Sequence, residues 1–486
     1  MTRRPDTRGG SAGKGRSTTA DDGSSAGTGR STNGTGSTIA DGRSTDCGGS
    51  IADGRSTDCG GSIADGRSTD GGSNTADGSG TPAAAALLLL SLGALAALFA
   101  VRRFPVADLL VYRAEGAAVV NGGDLYGFTV TAWDLPATYP PFAALLFVPT
   151  VWLSPAVAKA AFVAGNAALA AFLVHLSLRL ADGLPGGSGS GLRPGRWSRR
   201  AVVLAATAAA LWLEPVFQTL VFGQINLLLV CLVLWDLGRP DGARGKGLAI
   251  GIATGIKLTP AVFAVHLLLT GRVRAGLTAL AGFAGTVAAG ALVLPSASWE
   301  FFTHRVFETA RVGKVWIVDN QSLQGLIARV AHTSEPGVLW LVPAAALGVA
   351  GLALARRLHV RHGQAAWAVM AAAFTALLVS PISWSHHWVW CVPLLALLAA
   401  ERARSGAGLG AVAAVAAVFA ARTLWLVPKR GAADLRLEWW LQPFASPYAL
   451  LTLGLLATAA LRCYSVSLSG AASGWAVSRS WESTMR

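Results

Sequence analysis

The chain is 486 residues long, 52% apolar and only 14% charged, with a formal net charge of +14. A soluble protein with so few charges would leave large apolar patches in water, so this composition excludes an ordinary soluble domain and points to a bilayer. Nor does the positive charge imply a nucleic-acid partner, because it is scattered over short loops instead of gathered on one face.

Residues 1–80 carry nine Arg/Lys and ten Asp, a net of −1, so the remaining chain holds +15. This opening segment is nearly all Gly, Ser, Thr, Asp, Ala and Arg, and its unit IADGRSTDCGGS, from Ile39, recurs from Ile51. A unit that short, with a single Ile, has no apolar face to stack. It predicts a disordered tail over 1–80, too polar for a secretory signal, ahead of a membrane domain over 81–465 and a cytoplasmic tail over 466–486. Among the cysteines, Cys231 and Cys391 lie in apolar spans, and no CxxC or Cys/His spacing suggests a metal, so no cofactor is predicted.

Apolar stretches follow at about 83–101, 156–180, 201–219, 222–238, 275–294, 337–355, 365–380, 388–400, 407–426 and 447–461. They are read as transmembrane helices. Clusters such as Arg193/Arg196/Arg199/Arg200, Arg239/Arg244/Lys246, Arg272/Arg274, Arg356/Arg357/Arg361 and Arg402/Arg404 sit in short loops between them. The positive-inside rule places these clusters, and both termini, in the cytoplasm. Residues 140–153 are too short for an ordinary span and read as re-entrant or interfacial. The stretch 247–270 carries Lys257 in its middle, either as two half-helices turning there or as one span with an inward-facing Lys. A lone Lys in the bilayer costs about 2.5–3.5 kcal/mol on insertion scales, so in both cases it needs a partner. The predicted fold is an all-α polytopic membrane bundle of about 10–12 transmembrane helices with short interfacial or re-entrant helices.

The outer face then receives the loops 102–136, 296–336, 381–387 and 427–446. In the first, Asp108, Tyr112 and Glu115 fall on one side of a helix, with Arg113 beside them. Asp108 can act as a general base there, or it can cap the helix or pair with Arg113. Tyr139-Pro140-Pro141-Phe142 opens the short apolar run, as prolines do at a helix start. Gln224 and Asn226 are two amides at the head of a span, able to bind a polar ligand or to cap the helix. In the second loop, His304, Arg311 and Lys314 are cations able to meet a phosphate, and Asp319-Asn320-Gln321-Ser322 suits sugar hydroxyls. His386-His387-Trp388 fills a tight turn between spans. The absence of HExxH or a neighbouring Cys or Asp ligand argues for phosphate or sugar contact there instead of metal.

In this order, the segments resemble glycosyltransferase family 87, the polyprenol-phosphate-mannose-dependent mannosyltransferases with the GT-C fold. The likeness rests on D-x-x-V-Y at Asp108–Tyr112, D-L-Y-G at Asp124–Gly127, Y-P-P-F at Tyr139–Phe142 and G-Q-I-N at Gly223–Asn226. It continues with G-I-K-L-T-P at Gly255–Pro260, D-N-Q-S at Asp319–Ser322 and S-P-I-S-W-S-H-H at Ser380–His387, covering roughly residues 83–461. The resemblance implies a GT-C-type bundle that moves a hexose, mannose in the family, from a polyprenyl-phosphate donor to a lipid or glycan acceptor. Transfer would proceed with inversion on the outer face of the cytoplasmic membrane. Asp108 matches the family's base, and the likeness assigns His386 or His387, Lys257 and Gln224/Asn226 to binding. Tyr112, Arg113, Tyr139, Arg311, Lys314, Asn320 and Gln321 complete the predicted substrate contacts. The rival is a transporter or flippase of lipid-linked sugars, against which stands the lack of internal symmetry between the halves.

Overall fold

Long runs of Ala, Leu and Val punctuated by Pro and Gly dictate helices, because a backbone in hydrocarbon must satisfy its polar groups within its own segment. The computed structural model describes residues 80–184, 197–429 and 432–463. The two predicted tails, and Arg193 and Arg196, lie outside the described residues. In chain order the helices begin with α1 (Thr81–Arg102), α2 (Ala107–Asn121), α3 (Pro141–Phe147), α4 (Pro155–Asp182), α5 (Arg199–Ala210), α6 (Glu214–Phe222) and α7 (Asn226–Leu237). Then come α8 (Leu248–Ile256), α9 (Ala261–Leu269), α10 (Val273–Val293), α11 (Pro295–Thr303), α12 (Thr309–Val312) and α13 (Leu323–Val330). The last are α14 (Gly337–Val360), α15 (Ala365–Val379), α16 (Cys391–Ser405), α17 (Gly410–Ala420), α18 (Gln442–Ala445) and α19 (Pro447–Cys463). A small antiparallel hairpin, β1 (Thr129–Val130) with β2 (Leu135–Pro136), lies between α2 and α3.

Among the described residues, α1, α4, α10 and α14 are long and apolar enough to cross a membrane alone. Two bent pairs qualify jointly: α5 with α6, at 72°, and Trp439–Ala445 with α19, at 85°. The protein is thus a multi-pass, all-α membrane protein. The expected unbroken spans over 201–219 and 222–238 are corrected to three shorter helices. Pro215 cannot continue the hydrogen-bond ladder from α5 and instead sits in the first turn of α6, where its missing amide hydrogen costs nothing. At the other end Gly223, at φ +70°, closes α6 in the left-handed conformation. The expected span 388–400 likewise starts as a 3-10 turn over Ser385–Trp390 before α16. Residues 140–153 form α3 and a 3-10 turn over Val148–Trp152, too short to cross.

The stretch 247–270 takes the first of its two expected forms. A Cβ at Gly251 would lie 2.4 Å from the Ala279 carbonyl, and one at Gly255 would lie 2.0 Å from Thr286 Oγ1, so α8 runs parallel to α10. Gly276 in turn meets Leu268 and Ala264, so α9 comes back toward the start of α10. The two half-helices make a hairpin with Lys257 at its tip. Its base is tied by Asp236, which accepts from the amides of Gly247 at 2.9 Å and Ile250 at 3.2 Å, and by Asp241, which pairs with Lys246 at 2.6 Å.

Candidate active site

Four pieces of backbone converge around the tip of that hairpin: the first turn of α2, the residues ahead of α3, the α6–α7 junction and the turn before α16. Their close approach depends on Gly223. Its φ of +70° suits glycine, and a Cβ there would come within 2.4 Å of Val106 Cγ1, two residues before Asp108. Val106 is itself a β-branched residue at φ +54°, so the chain entering α2 is strained where it meets Gly223. Gly223→Ala is expected to push Asp108 out of place, lowering transfer by about 10²-fold and stability by ~1–3 kcal/mol. Initial rates and thermal unfolding check this; a variant equal to the parent in both would show that the approach tolerates a methyl group.

Asp108 opens α2 beside the Gln224 side chain and within the electrostatic reach of Lys257. Burial, opposed by the nearby Gln224 amide and by the Lys257 charge, pushes its carboxyl up to about 6, which leaves it ionised at neutral pH. Glu115, two turns along the same face, is fully buried, and burial pushes it up to about 8. Of the two carboxyls, Glu115 therefore keeps its proton and Asp108 is the one able to accept one.

Tyr112 and Tyr139 stand between them, with their hydroxyls 2.9 and 3.0 Å from Gln224 Oε1. Lys257 donates to Asn226 Oδ1 at 3.3 Å and to His387 Nε2 at 2.9 Å, and its ammonium lies 5.4 Å from the Tyr139 ring centre. The Lys thus has the partners its burial demands. Burial, and then the Lys257 charge, hold both imidazoles well below the usual histidine range, so His387 is neutral and free to accept. Asn226 Nδ2 and Thr219 Oγ1 both donate to the His386 carbonyl, at 3.0 and 3.2 Å, which pins the His386-His387 turn to the α6–α7 junction. Below Lys257, an apolar slot opens between α7, α9 and α15, with Leu229, Val233, Phe263 and Leu377 in its walls. Its mouth is polar, carrying Asn226, Lys257, Thr259 and His387.

Seven of the predicted residues are gathered here with Asp108 at the centre: Tyr112, Tyr139, Gln224, Asn226, Lys257, His386 and His387. The others are placed elsewhere. Arg113 donates to the carbonyls of Thr150 and Leu153 and so ties α2 to the 3-10 turn over Val148–Trp152. Arg311 donates to the carbonyls of Tyr126 and Ala137, bracing the loop around the β-hairpin. Lys314 lies 5.7 Å from the Trp316 ring centre on an exposed stretch.

Asn320 and Gln321 are fully buried, and protein partners occupy their amides. Asn320 accepts from the amides of Ser322 and Ser383 and donates to the carbonyls of Val315 and Pro381. Gln321 donates to Val318 and Ala445 and accepts from the Tyr448 amide. They knit the loops together, a role with no local signature. Glu214 has no local signature either; it is buried and accepts from Trp425 at 3.0 Å and Tyr448 at 2.8 Å. Among the described residues, no three His, Cys, Asp or Glu side chains gather into a metal-holding group.

The model of glycosyltransferase family 87 matches residues 137–381, half of the chain and most of the elements around this site. The chain belongs to glycosyltransferase family 87. It is a membrane glycosyltransferase, which sets aside the transporter alternative. It is 36% identical over 300 residues, 60% of this chain and 69% of the relative, to a protein of Mycobacterium tuberculosis. That relative is named polyprenol-phosphate-mannose-dependent alpha-(1-2)-phosphatidylinositol mannoside mannosyltransferase. A protein of the same name from Mycolicibacterium smegmatis is 35% identical over 61% of this chain and 71% of its own length. A second protein of Mycobacterium tuberculosis, named as the pentamannoside mannosyltransferase, is 35% identical over 68% of this chain and 74% of its own. No solved structure matches.

Proposed function

We propose that this family 87 enzyme transfers mannose, with inversion, from a polyprenyl-phosphate donor to a phosphatidylinositol-mannoside-like acceptor on the outer face of the cytoplasmic membrane. The names of its relatives support the donor and the acceptor class. The arrangement that carries the chemistry is Asp108 within electrostatic reach of Lys257, whose ammonium stands with Asn226 and His387 at the mouth of an apolar slot. The acceptor hydroxyl attacks the anomeric carbon and gives its proton to Asp108, while the bond from that carbon to the phosphate oxygen breaks. The leaving polyprenyl phosphate gains a negative charge, which Lys257 meets directly, with His387 and Asn226 orienting the ammonium. Attack from the side opposite the phosphate inverts the anomeric centre. The prenyl chain lies in the slot between α7, α9 and α15. The catalytic domain corresponds to residues 81–465, with both termini cytoplasmic.

The test uses purified protein in proteoliposomes, supplied with labelled mannose on polyprenyl phosphate or on GDP. Label should reach an added phosphatidylinositol mannoside from the lipid donor alone; transfer only from the nucleotide would sink the assignment. Ala373→Trp, which fills the slot, is expected to raise KM for a long-chain donor about tenfold, through lost apolar burial, while a short-chain donor changes little. Equal effects on both donors would place the chain elsewhere.

A further inference from the structure

The turn from Ser380 to His387 leads from α15 toward α16 and carries the imidazole that pairs with Lys257. Such a turn has no ladder of its own, so its buried amides and carbonyls need partners from elsewhere. Asp319-Asn320-Gln321-Ser322 supplies them. The Ser385 amide donates to the Asp319 carbonyl and the Gln321 amide to the Ser383 carbonyl, both at 2.8 Å. Asn320 and Trp384 thereby face each other in an antiparallel bridge. Ser322 Oγ adds a bond to the Pro381 carbonyl at 3.0 Å.

The Asn320 side chain lies inside this pairing with all four of its hydrogen-bonding positions used. Its Oδ1 accepts from the amides of Ser383 at 2.9 Å and Ser322 at 3.1 Å. Its Nδ2 donates to the carbonyls of Val315 at 2.8 Å and Pro381 at 3.0 Å. Every partner is a backbone group, and a backbone amide only donates as a carbonyl only accepts, so the orientation of the side-chain amide is fixed. The Asn320 carbonyl accepts from Arg329 Nη1 at 3.1 Å, and a Cβ at Gly325 would come within 2.4 Å of that oxygen, so the residue is wedged against α13. Asn320, Ser322 and Ser383 are at most 1% exposed, which leaves no room for a sugar hydroxyl. Beyond the bridge, the His387 amide donates to the Trp384 carbonyl at 2.8 Å, so the place of Trp384 sets that of His387.

We infer that Asn320 is a positioning residue for the His387 imidazole and, through it, for the Lys257 ammonium. The role goes beyond the sugar contact expected of Asn320, and it rests on Lys257 meeting the leaving phosphate. The turn is held at two points. Asn226 and Thr219 hold the His386 carbonyl from the α6–α7 junction, and Asn320 holds Pro381 and Ser383 from the opposite side. Without the Asn320 amide the turn can pivot about the His386 carbonyl, which carries His387 away from Lys257. A small displacement of a group that meets developing charge is enough to cost rate.

Transfer from polyprenyl-phospho-mannose would be measured in proteoliposomes around a double-mutant cycle: the parent, Asn320→Leu, Lys257→Met and the double variant. Asn320→Leu is expected to lower kcat about tenfold with donor KM within about threefold, since geometry is lost but no substrate contact. In the Lys257→Met background the same substitution should cost less than about twofold, because the group it positions is gone. Ser322→Ala removes only one of the two side-chain donors to the Pro381 carbonyl, so it reports the role even if Asn320→Leu does not fold. Its loss should be smaller and should depend on Lys257 in the same way. An equal fold-loss in both backgrounds overturns the positioning role, because packing alone does not depend on Lys257. A rise in donor KM with kcat kept also overturns it, and makes Asn320 a substrate contact. If Lys257→Met alone transfers at the parental rate, the leaving-group assignment itself fails and the inference falls with it.

Discussion

Asp108→Asn is expected to reduce sugar transfer by about 10²–10⁴-fold, the range for loss of a positioned general base. The amide preserves the volume of the carboxyl and its place in the first turn of α2, so binding of donor and acceptor should change little. What it removes is the ability to take the acceptor's proton. The same carboxyl gives the parent enzyme its acid limb. Asp108 works ionised, burial holds its carboxyl at about 6, and transfer should therefore fall as pH drops below about 6. The residual rate of the Asn variant should be flat through that window. Stability should move the other way. A carboxyl whose folded value is raised stabilises the fold fully only at low pH, and that contribution is lost as pH rises through about 6. At pH 7.5 the Asn variant should thus be more stable than the parent by on the order of 2 kcal/mol, with the two converging near pH 4. A variant that is slow and also unstable at pH 7.5 would point to a damaged fold instead of a missing base.

How much of this was legible in the sequence depends on whether the signal was local. The i, i+4, i+7 spacing of Asp108, Tyr112 and Glu115 is local, and it places the three on one face of α2. The need of an intramembrane Lys for a partner is equally general, and Lys257 finds Asn226 and His387. Residue type alone misleads where the partner is distant. Asn320 and Gln321 look like sugar ligands, yet their amides are consumed by Pro381, Ser383, Ala445 and Tyr448, far along the chain. Arg113 and Arg311 look like phosphate ligands, but each caps backbone carbonyls that a short helix or loop leaves unpaired. Helix breaks were harder still. Leu211–Leu213 and Gly223 interrupt apolar runs whose composition alone supports unbroken spans, and only the crossing of α6 with α2 gives the Gly223 turn a reason.

Lys257→Met should be the second large loss, with kcat lower by about 10²–10³-fold, as when one preorganised donor to a developing anion is removed. Met is close in length and apolar, so the hairpin loses a membrane charge worth about 2.5–3.5 kcal/mol on insertion scales. Reduced protein in the membrane is therefore not the expected cause of lost activity. The chemical cause can be read separately, because Lys257 also acts on Asp108. Its charge favours the ionised carboxylate, and without it the acid limb should move to higher pH. Lys257→Arg keeps that charge, so its limb should stay near the parental position. Its kcat should still fall, because a planar guanidinium cannot replace a compact ammonium held 2.9 Å from His387 Nε2 and 3.3 Å from Asn226 Oδ1. Initial rates of transfer across pH for the three proteins decide the matter. Parental kcat in Lys257→Met would remove the lysine from the leaving-group side of the reaction. A parental limb in that variant would place its charge too far from Asp108 to matter.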